Sequence, residues 1–183
     1  MSLSKLYLQT TITRLLYYKD LGEKAMAQLS DAELNYQPGP ESNSVAVVVR
    51  HLGGNMLSRW TNFLEEDGEK EWRQRDDEFR EATFSRAEIM DAWDKGWTCF
   101  LDALKRLKKK DLKKTIYIRK EGLTVIDAIN RQLAHYPYHI GQIVYLARMI
   151  RKDEWKNLSI PKGGSAAYNN SDAIKDPARQ FKS

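Results

Sequence analysis

A single cysteine, Cys99, stands in the 183 residues. One thiol excludes an internal disulfide framework and suits a reducing compartment. Long apolar runs are also missing. No window approaches the ~18 uncharged apolar residues of a membrane-spanning helix. The opening stretch, MSLSKLYLQTTITRLLYYKD, lacks an apolar run followed by a small-residue cleavage site. A cytoplasmic chain without a membrane partner is expected. Proline is scarce, and Pro38 and Pro40 flank Gly39 in SDAELNYQPGPESNS. That cluster excludes a continuous helix and predicts a loop there. Histidine is scarcer still, with only His51, His135 and His139.

What is present describes one globular domain. A hydrophobic fraction of 42% with 30% charged residues supplies a core, and the length is short for two domains. The net charge of +5 is unevenly spread. Residues 65–81 hold nine acids against four bases, and residues 105–114 hold seven bases against one acid. The basic run carries no interleaved aromatics for stacking on bases, so it reads as a solvated helix end rather than a nucleic-acid site.

Four segments keep a helical period. The first runs from about residue 4 to 29, with Leu8, Ile12, Leu15 and Leu16 on its apolar side. The second starts at Ser44, an N-cap, and runs through Val48, Leu52, Met56 and Trp60 to Phe63 and Leu64. Its Gly53 and Gly54 weaken the helix but let another backbone approach closely. The third opens on the capping box Ser85-x-x-Glu88 and carries Ile89, Trp93, Trp97, Phe100, Leu104 and Leu107. TIYIRKEGLTV then reads as a hairpin turning near Lys120, Glu121 and Gly122. Thr124 caps the fourth segment, which ends near Arg151. The predicted fold class is all-α: a four-helix bundle over residues 1–155, a short hairpin before the fourth helix, and a loop-rich extension over 156–183 packed on the same domain.

The histidines carry the candidate chemistry. In AHYPYHIGQI, His135 and His139 lie four apart, which on a helix puts both rings on one face about 6 Å apart along the axis. Three histidines scattered at random would give some pair that spacing about 3 times in 100. Two imidazoles so placed can share a metal ion. Gln132 and Gln142 extend the same file. His51 lies in a similar file on the second helix, with Asn55 following it. Two such files facing each other in a bundle would bring three imidazoles together. No acidic fourth ligand stands beside them in sequence, so the centre would keep an open position, as catalytic zinc sites do. Pro137 sits between the pair. Either the helix starts there and His135 leaves the shared face, or the helix kinks; the helical period upstream favours the kink. Asn55 and Gln142 are candidates to orient water or substrate. Cys99 reads as a small core residue, and Tyr17, Tyr18, Trp60, Trp93 and Trp97 as core packing.

VVVRHLGGN around His51, together with HYPYHIGQIVYLAR from His135, resembles the DinB/YfiT-like superfamily. That family pairs a histidine midway along the second helix with HxxxH on the fourth, often followed by GQ. WKNLSIPKG in the tail resembles an uncharacterised branch of the same superfamily. The resemblance implies His51, His135 and His139 as metal ligands; three imidazoles with an open position suit zinc or nickel, with manganese, cobalt or iron as further candidates. It implies a homodimer. It also implies thiol-dependent S-transfer or isomerisation with a low-molecular-weight thiol such as bacillithiol or mycothiol. The expected function is a divalent-metal-dependent S-transferase acting on small electrophiles. The alternatives are a metal-dependent hydrolase and a non-enzymatic metal- or ligand-binding stress protein.

Overall fold

Hydroxyl side chains set where the long helices begin. In a computed structural model that describes residues 1–80 and 82–181, Ser2 accepts a hydrogen bond from the Lys5 N–H at the start of α1 (Leu3–Met26). Ser30 and Glu33 form a reciprocal capping box around the single turn α2 (Asp31–Leu34). Ser44 caps α3 (Val45–Trp60), and Ser85 with Glu88 makes the predicted capping box of α4 (Arg86–Arg106). The antiparallel strands β1 (Thr115–Ile118) and β2 (Glu121–Thr124) follow, and Thr124 caps α5 (Val125–Arg151). The chain is mostly helical, with this small two-stranded sheet. Among the described residues no helix is long and apolar enough to cross a membrane.

The four long helices bury their apolar stripes against one another. α3 packs on α4 and α5, and α1 packs on α5 and α4. Trp93, Trp97 and Phe100 of α4 fill the centre with Trp60 of α3 and Tyr136 of α5, all buried. Their rings meet at tilted or edge angles, 4.7 Å for Trp60–Phe100 and 5.0 Å for Phe100–Tyr136. The α3–α4 crossing depends on glycine. A Cβ on Gly53 would lie 2.6 Å from the Ala92 carbonyl oxygen, and one on Gly96 would lie 2.8 Å from Gly53 Cα. Two backbones come this close only where no side chain intervenes.

Several sequence expectations need correction. The predicted loop after α1 contains α2, because Ser30-x-x-Glu33 is itself a capping box ahead of the Pro–Gly–Pro cluster. α3 stops at Trp60 rather than Leu64: Thr61 is extended and Asn62 takes φ of +48°. Phe63 still reaches the core from the following turn. The expectation that the helix continues past Pro137 rather than starting there holds, since α5 runs through it. The hairpin turns at Arg119 and Lys120, one residue earlier than expected. Both have positive φ, +55° and +65°, as a two-residue type I′ turn requires. The Asp67 carboxylate holds them there, accepting 2.8 Å hydrogen bonds from both backbone N–H groups.

Cys99 is half-buried, not a core residue. Its thiol lies 3.6 Å from Thr61 Oγ1, in the wall of a cleft of about 380 Å³ shared with Phe63 and Arg106. The tail is mostly irregular but includes α6 (Ser165–Asn169). It returns to α1, where Asp176 accepts a two-pronged hydrogen bond from Arg14 (2.6 and 2.7 Å) and Phe181 stands 6.5 Å from Tyr17.

Candidate metal centre

The four-residue step along α5 places His135 and His139 on one face, with their Nε2 atoms 3.0 Å apart. α3 brings His51 to the pair, its ring centroid 4.9 Å from His139 and 5.6 Å from His135. One ring nitrogen from each of the three lies within 4.8 Å of the others. His51 is buried, and His135 and His139 are half-buried. The structure therefore draws together all three histidines singled out in the sequence.

Every ring has an oxygen behind it. His135 Nδ1 is 3.2 Å from Gln132 Oε1, His139 Nδ1 is 2.7 Å from Gln142 Oε1, and His51 Nδ1 is 3.0 Å from Glu78 Oε2. An oxygen acceptor at Nδ1 calls for an Nδ1–H donor, which leaves the lone pair on Nε2. Burial, then the neighbouring His139 and His51, lower the His135 pKa to about 4. Burial also lowers that of His139, against the hydrogen bond to Gln142. Both rings are then neutral at pH 7, and two bare Nε2 lone pairs face each other across 3.0 Å. That arrangement is unfavourable until a cation sits between them. Zinc–nitrogen bonds of about 2.0–2.1 Å at tetrahedral angles set two nitrogens about 3.4 Å apart, within a few tenths of an ångström of this pair. The donor set fits a divalent metal.

The remaining sequence candidates divide. Gln142 touches His139 directly. Asn55 touches none of the three rings through its carbonyl oxygen; it accepts from Tyr136 Oη at 3.2 Å, and that hydroxyl accepts from Trp60 Nε1 at 3.1 Å. Glu78 was missed. It lies in the acidic run, 27 residues after His51, and a 3-10 turn over Arg75–Phe79 delivers it. Its carboxylate also receives Arg73 Nε at 2.8 Å and Nη2 at 2.9 Å. Burial alone would raise the Glu78 pKa, but the hydrogen bonds from His51 and Arg73 prevail and lower it. Its sequence signal was slight, one acid among nine. The Phe79 ring packs 4.8 Å from His51, and the exposed Tyr138 stands 5.1 Å from His139.

This arrangement of long helices is a fold shared with two solved proteins. A DinB-like protein from Bacillus cereus ATCC 10987 shares the fold with a TM-score of 0.58 and 22% identity, over 76% of this chain and 90% of that one. A conserved protein from Enterococcus faecalis does so with a TM-score of 0.59 and 19% identity, over 82% of this chain and 98% of that one. Residues 2–164 match the family model described as protein of unknown function, DUF1572, and the chain belongs to that family. The family match and the shared fold are consistent with the resemblance read from VVVRHLGGN and HYPYHIGQ. No curated protein matches the sequence.

Proposed function

We propose that the chain is a divalent-metal-dependent enzyme of four-helix-bundle architecture whose His51, His135 and His139 hold the ion and leave a coordination position for a small molecule. The observation that carries this reading is the convergence of three rings whose Nδ1 atoms are all engaged by oxygen acceptors. An ion held there supplies Lewis acidity, which makes a thiol or water sharing its free position acidic near neutral pH. Gln132, Gln142 and Glu78 each accept from a ring Nδ1–H, which orients the rings and directs each Nε2 toward the ion. Tyr136 holds Asn55 by its carbonyl oxygen, which leaves the Asn55 amide N–H₂ as the donor to substrate or water.

Zinc and nickel suit three imidazoles, though imidazole discriminates poorly among divalent metals. The preferred reaction is transfer of a low-molecular-weight thiol to a small electrophile. It is supported by the resemblance of HxxxHxGQ, with the upstream histidine, to thiol-dependent members of the superfamily. Elemental analysis of purified protein tests the centre: about one divalent ion per chain is expected, and His135→Ala should lose most of it. Equal metal in both proteins overturns the reading. Turnover of electrophiles with and without added thiol then separates transfer from hydrolysis. Binding without product in either arm favours a non-enzymatic role.

A further inference from the structure

The three supports behind the rings are not equivalent. His135 and His139 are backed by neutral amide oxygens, His51 by a carboxylate. A hydrogen bond to an ionised acceptor is about twice as strong as one between neutral groups, and it pushes electron density toward the far ring nitrogen. Glu78 is itself held on every side. Oε2 accepts from both His51 and Arg73 Nη2, and Oε1 accepts from Arg73 Nε. A Cβ on Gly54 would overlap Oε1, so the second glycine of the pair in α3 is what admits the carboxylate.

The Glu78–Arg73 pair is poorly explained as a stabilising contact. Both side chains are buried, at 10% and 2% exposed, and Arg73 Nη1 has no hydrogen-bond partner among the described residues. Burying two charges and leaving one donor unmet costs folding free energy that well-packed apolar residues would not.

We infer that Glu78 is a positioning residue for the metal centre, acting through His51, and that Arg73 and Gly54 hold it in place. His51 is thereby the strong anchor of an asymmetric centre, with its ring angle and tautomer fixed by charge. The inference rests on the metal reading above and adds a hierarchy among its ligands.

Zinc affinity, measured by competition with a chromophoric chelator, tests it. Glu78→Gln keeps the shape and an acceptor oxygen but removes the charge. Its zinc affinity should fall about 10–100-fold. Gln142→Leu, which removes a neutral support, should cost less. The Co(II) absorption spectrum should also change in Glu78→Gln, a readout that a purely structural role would leave alone. Gly54→Ala, which displaces the carboxylate without altering it, should reproduce the loss. The parent gives a reading independent of any substitution: long-range ¹H–¹⁵N correlation on metal-free protein should show His51 as the Nδ1–H tautomer. A parent that binds no zinc removes both proposals. Unchanged affinity in Glu78→Gln, or the Nε2–H tautomer in the parent, overturns this one alone.

Discussion

At the scale of single residues, the histidine pair on α5 links site chemistry to stability. In the unfolded chain His135 and His139 titrate near the ordinary value of about 6.5. Folded, His135 falls to about 4 and His139 is lowered as well. Between those values the unfolded chain binds more protons, so the stability of metal-free protein must rise with pH across that window and fall as acid is added. Glu78 adds to the same trend. Its lowered pKa gives a contribution that is present at neutral pH and lost as pH falls through the folded-state value. Urea midpoints measured from pH 7 down to pH 4 should fall steadily. In a His135→Gln, His139→Gln double variant the slope should flatten, and an unchanged slope would exclude this origin. The pair was legible as HxxxH because a four-residue spacing is a local fact. The oxygens behind the rings were only partly legible. Gln132 and Gln142 lie on the same helical file, whereas Glu78 reaches His51 across a loop whose path no periodicity encodes.

Among the elements, the starts of helices were the most readable features. Ser44, Ser85 and Thr124 cap where expected, since capping depends on a hydroxyl and the next few N–H groups. Ends were harder. α3 stops at Trp60 while its apolar spacing continues to Phe63, because a positive φ at Asn62 turns the chain but leaves the ring facing the core. Arg119 and Lys120 were hidden as turn residues for a related reason. Neither favours positive φ; the acceptor that stabilises it, Asp67, lies far away in sequence. Gly53 was read as permitting close approach, and the structure supplies the partner in Ala92. Gly53→Ala meets backbone rather than a movable side chain, so α3 and α4 must separate. A loss of about 1–3 kcal/mol is expected in chemical denaturation. A neutral result would mean that the crossing is looser than these distances.

For the whole molecule, the candidate centre joins α3 to α5, two helices distant in the chain. A ligand that binds only the folded state stabilises it by about 2.7 kcal/mol at a hundredfold excess over its dissociation constant. For a chain of this size that corresponds to a melting temperature about 5–10 °C higher. Zinc or nickel should therefore raise the melting temperature of the parent but not of His135→Ala, as read by calorimetry. An equal shift in both would point to binding elsewhere. The helical class and the meeting of the three histidines were foreseeable, because four amphipathic stripes have few ways to be buried together. The path of the tail onto α1 was not, since Arg14–Asp176 and Tyr17–Phe181 join residues with no shared pattern.

The hairpin carries none of the site's side chains, yet the site leans on it. Asp67 grips its turn, Gly68 N–H donates to the Tyr117 carbonyl at 2.8 Å, and Glu69 pairs with Arg119 at 2.9 Å. The stretch so anchored continues to Arg73 and Glu78. It works like an arch, with one foot on the hairpin and the other against His51. A defect at Asp67 or Arg119, remote from every imidazole, would loosen that far foot and surface as weakened ion retention in a chain that still folds.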